Sequence, residues 1–167
     1  QLLKADIAIG ERLFTVFGVN AREPSDPQAY SAEADQILSL IESATQNSNT
    51  VILGELNSRS ALDGASDALQ DTEANNDGRA YGTPGYAYPN TYFTAALSAK
   101  GYVDTWRFLH PDIAVVPTRI IGTDGTLVEN SDERVDYCLV SSDLSSMLLD
   151  SGINSEFDNS ISNSKPV

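Results

Sequence analysis

The sequence predicts an α/β fold. Three observations carry that expectation: a β-branched and aromatic run at 12–19 (RLFTVFGV), an amphipathic stretch opening at Asp26-Pro27, and a second apolar run at 50–54 (TVILG). Strand, helix and strand follow one another within about 45 residues, the alternation of an α/β protein.

The first run is dense in residues that favour a pleated, half-buried surface. Asp26 then reads as an N-cap with proline at the first helical position. Ala34, Ile37, Leu38 and Ile41 recur at i, i+3, i+4 and i+7, which predicts a helix with one apolar stripe ending near Ser43. The polar TQNSN separates it from the strand TVILG. Residues 58–90 are rich in Asp, Asn, Gly and Pro and predict a long loop. Its acidic half matches no EF-hand spacing and reads as solvated, while Tyr81, Tyr86 and Tyr88 either pack the loop down or line a binding face. Asn90 is the expected N-cap of a short helix carrying Phe93, Ala96 and Leu97, closed by Gly101. YVDTW (102–106) reads as a strand or turn, and residues 114–128 as a hairpin turning at Asp124-Gly125. A further strand is expected to begin at Arg134. The polar tail gives way at Lys165-Pro166-Val167 to what reads as the start of another strand.

Charge narrows the function. Twenty-four acidic residues against 10 basic give a net charge of −14, which repels a phosphate backbone at long range and disfavours nucleic acid without a local basic cleft or a bridging divalent metal. The acidity suits an extracellular or periplasmic protein. No apolar run approaches the roughly 20 residues of a membrane span. No leader pattern of basic, apolar and small residues opens the sequence, as would also hold for a processed secreted chain. Cys138 is the single cysteine, so no intrachain disulfide or cysteine-based zinc site can form, and its apolar neighbours predict core packing. His110 is the single histidine. It precedes Pro111 and is expected at a cap or turn.

Chemistry-bearing residues gather in three separated pieces: GELN at 54–57, GYVDTWRFLHP at 101–111 and ERVDYCLVSSDL at 133–144. Glu55 and Asn57 stand two apart where a strand runs out, so both lean over the same face at the sheet end where ligands of α/β proteins sit. In order and spacing these pieces resemble the second half of the endonuclease/exonuclease/phosphatase superfamily, the DNase I-like metal-dependent phosphoesterases. That family carries Gly-Asp-Phe-Asn after a strand, a Gly-Tyr-x-Asp segment, an Arg-Ile-Asp-Tyr strand and a closing Ser-Asp-His-x-Pro-Val. The closing motif falls here on residues 162–167, SNSKPV.

The resemblance implies a four-layer α/β sandwich of two packed sheets with helices outside, of which this chain, read as a single domain over 1–167, holds about the second half. The amino-terminal half of the family domain is missing, so a second chain completing the sandwich is an expected partner, since half a sandwich leaves one sheet face uncovered. It also implies Mg²⁺, or Mn²⁺ or Ca²⁺, and a phosphoester substrate. Glu55 takes the place of the aspartate that orients or deprotonates the attacking water, and Asn57 that of the phosphate-contacting amide. Asp136 matches the carboxylate that holds the closing histidine, but that histidine is Ser164 here, and the adjacent metal-binding aspartate is Asn163. A further family histidine at the end of the earlier strand is Asn20. Serine and asparagine take up no proton near neutral pH, and a neutral amide is a poorer hard-cation ligand than a carboxylate. Asp136 then either keeps an orienting role or bonds Arg134 and nearby backbone N–H groups. The resemblance thus implies a phosphoesterase domain with impaired hydrolysis. The alternative is a non-catalytic binding or structural module of an extracellular assembly.

Overall fold

The structure, a computed structural model, describes residues 1–22, 27–45, 48–63, 91–113, 118 and 134–153. The expected hairpin at 114–128 (Thr118 apart), Asn90, the loop tyrosines, and the tail with Asn163 and Ser164 fall outside these residues.

Five strands form one mixed sheet in the order β1-β2-β3-β5-β4. They are β1 (Leu2–Ile9), β2 (Arg12–Asn20), β3 (Thr50–Glu55), β4 (Tyr102–Asp104) and β5 (Asp136–Ser141). β1 and β2 make an antiparallel hairpin closed by Ile9↔Arg12, and Gly10 supplies the positive φ (61°) such a tight turn requires. β2 and β3 are parallel, joined through helix α1 (Pro27–Thr45), as the strand–helix–strand reading predicts. β5 runs antiparallel to both β3 and β4.

The α1 stripe is wider than the sequence period alone indicated: Tyr30, Ala34, Ile37, Leu38 and Ile41 are all buried. They pack with Phe17 and Val19 of β2, Ile52 of β3, and Tyr137 and Leu139 of β5 in one core. Helix α2 (Tyr92–Ala99) adds Phe93 and Leu97, each with no exposed surface. Each such aliphatic or aromatic side chain contributes roughly 1.5–3 kcal/mol when fully buried. Thr91 is the N-cap of α2, with no side-chain bond to the helix, and Gly101 sits just past the C-cap with φ 87°. The segment read as strand or turn is both. β4 is followed at once by a short helix α3 (Thr105–Leu109), whose first turn is capped by Asp104 accepting from the Arg107 N–H at 3.2 Å. His110 is the C-cap of α3, in keeping with its expected role.

The other face of the sheet is different. Alternation puts Leu3, Ala5 and Ile7 of β1 opposite Gly18, Val16 and Phe14 of β2, then Val51 and Leu53 of β3, then Val140 and Cys138 of β5. Every one of these residues is apolar, and Leu3 (76%), Ile7 (45%) and Leu53 (38%) are exposed. The opposite side of β1 is polar, with Lys4 and Asp6 paired at 2.9 Å and Thr15 donating to Asp6 at 2.8 Å. β1 itself was not foreseen as a strand. Its alternation of Leu3, Ala5, Ile7 and Ile9 with Lys4 and Asp6 is nonetheless visible in the sequence.

Candidate functional site

Three of the residues singled out from the sequence fall in one register row. Asn20 closes β2 and pairs with Glu55, the last residue of β3, which pairs in turn with Asp136, the first residue of β5. Parallel β2 and β3 end at this edge, and antiparallel β5 begins there. The row continues the alternation of the apolar face and forms its rim. Asn20 is exposed, Glu55 half-buried and Asp136 buried, so polarity is graded across the row.

Backbone bonds tie the three strand ends together. The Ala21 N–H donates to the Glu55 carbonyl at 2.9 Å, and the Leu56 N–H to the Val135 carbonyl at 2.8 Å. The buried Tyr30 hydroxyl of α1 donates to the Leu56 carbonyl at 2.9 Å, which fixes the helix against the same point. One residue earlier, Gly54 takes φ 125°, and a Cβ there would lie 2.1 Å from the Val19 carbonyl oxygen. β2 and β3 therefore approach at this edge in a way that only glycine permits.

Asn57 is brought to the same edge but in a different setting. It adopts a left-handed φ of 48° and is only 3% exposed, and its side-chain N–H donates to the Ala21 carbonyl at 3.0 Å. Asparagine tolerates this backbone region better than most residues. The amide thus clips the turn after β3 to the end of β2. Beside it, the Thr94 N–H donates to the Ser58 hydroxyl at 3.2 Å, which links the turn to α2.

Asp136 is steadied through its backbone. The N–H groups of Val135 and Asp136 both donate to the Thr118 hydroxyl at 3.1 Å. Arg134 goes elsewhere than one of the two sequence readings of Asp136 had it. Its guanidinium, with the side chain 1% exposed, bonds Asp63 (Nε to Oδ2 at 3.2 Å, Nη2 to Oδ1 at 3.0 Å) and Asp104 (Nη1 to Oδ1 at 3.1 Å). Arg107 of α3 donates to the same Asp63 at 2.7 and 3.0 Å and to the Ile113 carbonyl at 2.8 Å. Trp106 lies under both guanidinium groups, 4.8 Å from Arg107 and 5.2 Å from Arg134, and Tyr137 lies 4.5 Å from Arg134.

Burial opposes the Arg134 charge, but the carboxylates of Asp104 and Asp63 favour it, and the group is held above the usual guanidinium range. Burial pushes the Tyr137 hydroxyl well above the ordinary phenol range, so it remains a neutral donor to the Arg134 carbonyl at 2.7 Å. Two arginines and two aspartates balance in charge and lock the segment that delivers Asp136. Sequence reasoning missed this cluster. Asp104 three residues before Arg107 is an N-cap pattern that could have revealed half of it. Nothing in the sequence pairs Asp63 with Arg134, 71 residues apart.

The row and the turn beyond it offer two carboxylates, Glu55 and Asp136, and two amides, Asn20 in the row and Asn57 at the turn. Among the described residues no group of three or more His, Cys, Asp or Glu is placed to hold a metal ion. His110 is engaged elsewhere: its Nε2 is 2.8 Å from the Ser151 carbonyl and its ring leans on Trp106. Cys138 is half-buried on the apolar face, with burial raising its thiol above the ordinary range. No described helix is long and apolar enough to cross a membrane.

No protein-family profile and no curated protein matches the chain. Among solved structures it is similar to the crystal structure of the Xenopus laevis APE2 catalytic domain, with a TM-score of 0.61 and 20% sequence identity over 99% of this chain. The chain spans 52% of that structure's length. The likeness shows the fold: an α/β chain built as part of a DNase I-like domain.

Proposed function

We propose that this chain is about half of a phosphoesterase domain of the endonuclease/exonuclease/phosphatase type, a single domain whose other layer lies outside residues 1–167. The carrying observation is the single row Asn20–Glu55–Asp136 at the rim of the sheet, with Asn57 at the turn beyond it. In this reading Glu55 orients a water toward phosphorus, Asn20 and Asn57 present amides to the phosphoryl oxygens, and Asp136 orients a neighbouring group. No acid–base histidine stands in the row, and the side chain of Asn57 already serves the Ala21 carbonyl. Hydrolysis by this chain is therefore impaired. Mg²⁺, or Mn²⁺ or Ca²⁺, would polarise the phosphate when bound, although among the described residues no group of three or more His, Cys, Asp or Glu gathers to hold it. Asn163 and Ser164, at the positions of the family's metal ligand and closing histidine, belong to the proposal on sequence grounds alone.

The buried, bonded state of Asn57 favours a second reading, a non-catalytic module that binds a phosphoester or helps build an extracellular assembly. The net charge of −14 fits a protein outside the cytoplasm and disfavours a polyanionic nucleic acid as the ligand.

Bis-p-nitrophenyl phosphate with Mg²⁺ or Mn²⁺ tests the proposal by two readouts. With Mg²⁺, phosphorus NMR line-broadening of the ester by the chain is expected (Mn²⁺ broadens the signal by itself and serves only the turnover arm), and Asn20→Asp, which sets a third carboxylate in the row, is expected to abolish it. Turnover is expected to be little or none. Absence of line-broadening would sink the phosphoester reading, and robust metal-dependent turnover abolished by Asn57→Ala would overturn the impairment.

A further inference from the structure

The helix-covered side of the sheet holds a cavity of about 780 Å³ at its β4 end. We infer that it binds one uncharged, mostly apolar small molecule carrying a hydrogen-bond acceptor. The floor is Tyr102 of β4 with Tyr137 and Leu139 of β5, all buried. One wall is α2, which turns Phe93 and Leu97 into the core and sets Ala95, Ser98 and Ala99 against the cavity. Side chains that small leave open the space that larger ones would fill. Phe108 of α3 and Leu62 also line it and stay 51% and 64% exposed, so apolar surface continues from the cavity out to solvent.

Charge selects the occupant. Arg107 is the cation of the lining, and each of its three guanidinium nitrogens is engaged. Nε and Nη2 bond Asp63, while Nη1 donates to the carbonyls of His110, Pro111 and Ile113. Asp104, the acid of the lining, accepts from Arg134 and from the Arg107 N–H. An anion therefore meets no available cation there and is repelled by the net charge of −14, and a cation meets no available carboxylate. An uncharged molecule meets neither obstacle. The Ser60 hydroxyl accepts the Leu62 N–H at 3.2 Å, which leaves its own O–H to donate to an acceptor on the ligand. Water finds few partners in so apolar a space, and the volume lies within the roughly 300–1,000 Å³ of small-molecule sites. The inference does not rest on the hydrolytic reading, because the rim row belongs to the other face of the sheet.

Nile red, an uncharged dye with a ring carbonyl, tests it by fluorescence as the 167-residue chain is titrated into a fixed trace of dye. A dissociation constant of about 10 µM is expected for a ligand of some 20–25 heavy atoms, with amide NMR shifts gathered in α2, β4 and α3. Ala95→Phe and Ala99→Phe, at exposed helix positions that leave the chain folded by circular dichroism, fill the cavity and are expected to weaken binding at least about 10-fold. Leu53→Lys, 38% exposed on the opposite side of the sheet, is expected to change nothing. Anilinonaphthalene sulfonate, similar in size but anionic, is expected to bind at least about 10-fold more weakly, even at about 0.3 M salt, where long-range repulsion is screened. No binding with the chain at about 300 µM overturns the inference. So does binding lost in Leu53→Lys but kept in both phenylalanine variants, which puts the dye on the bare face, and so does a sulfonate that binds as tightly as Nile red.

Discussion

Arg134→Met tests whether the buried charge cluster fastens the strand that carries Asp136. The substitution removes the bonds from Arg134 to Asp63 and to Asp104, and its stacking on Trp106 and Tyr137. Asp63 keeps Arg107 at 2.7 and 3.0 Å, but Asp104 is left, among the described residues, with only the Arg107 N–H at 3.2 Å. Breaking a buried pair by deleting one partner costs about 3–5 kcal/mol, chiefly because the surviving charge stays buried. Methionine restores part of the packing under the two rings, so a net loss of about 3 kcal/mol is expected. At a urea dependence of about 2 kcal/mol per molar, the midpoint falls by roughly 1.5 M. Trp106, the single tryptophan and part of the cluster, reports the transition by its fluorescence. Protein concentration is held fixed throughout, because association shifts apparent stability. Adding Asp104→Asn to Arg134→Met removes the orphaned charge, so the double variant is expected to recover about 1–2 kcal/mol relative to the sum of the singles. A loss below about 1 kcal/mol for Arg134→Met, or a double variant no better than additive, would refute the reasoning.

Three further outcomes follow from the strand ends. Gly54→Ala places a Cβ 2.1 Å from the Val19 carbonyl at φ 125° and is expected to cost more than about 4 kcal/mol, seen as lost amide protection in β2 and β3; Gly152→Ala, with open space around it, is expected to be neutral. Asn57→Ala loses both the bond to Ala21 and a side chain suited to φ 48°, about 2–3 kcal/mol, whereas Asn57→Gly keeps the backbone region and is expected to lose only about 1 kcal/mol; a reversed order in urea melts would contradict the clip. For Asp143, burial acts to raise the carboxyl, but hydrogen bonds from Ser141 and the Asn49 N–H outweigh it and hold the group below its ordinary 3.8. A depressed folded value stabilises above the unfolded one and is lost as pH falls through it, so the stability gap between wild type and Asp143→Asn should be constant near neutrality and close below about pH 4.

The sequence made legible what depends on local period. β2, α1 and β3 lie where β-branched density and the i, i+3, i+4, i+7 stripe place them, because both patterns answer to the same buried layer. The convergence of Glu55 and Asp136 was legible only through ordered motifs, since strand pairing is long-range and leaves no local mark. β1 escaped notice because its alternation of small and large apolar residues with Lys4 and Asp6 is diluted by Ala5 and Ala8. The Asp63–Arg134 contact was beyond reach for the reason that separates charge from hydrophobicity: any surface carboxylate could have been the partner, and only the fold selects one. The placement of Arg134 away from a pairing with Asp136 has the same cause.

The register that aligns Asn20, Glu55 and Asp136 also sets which changes of chain length the protein tolerates. Because successive residues face opposite sides, deleting one residue inside β3 would send Glu55 to the helix-covered layer and turn Ile52 outward. Insertions within residues 64–90, which the sequence reads as a long loop, are expected to carry no such penalty, as loop closure costs little per added residue. Gains and losses of length among this chain's homologues should therefore fall between the strands and spare the stretch from Thr50 to Asn57.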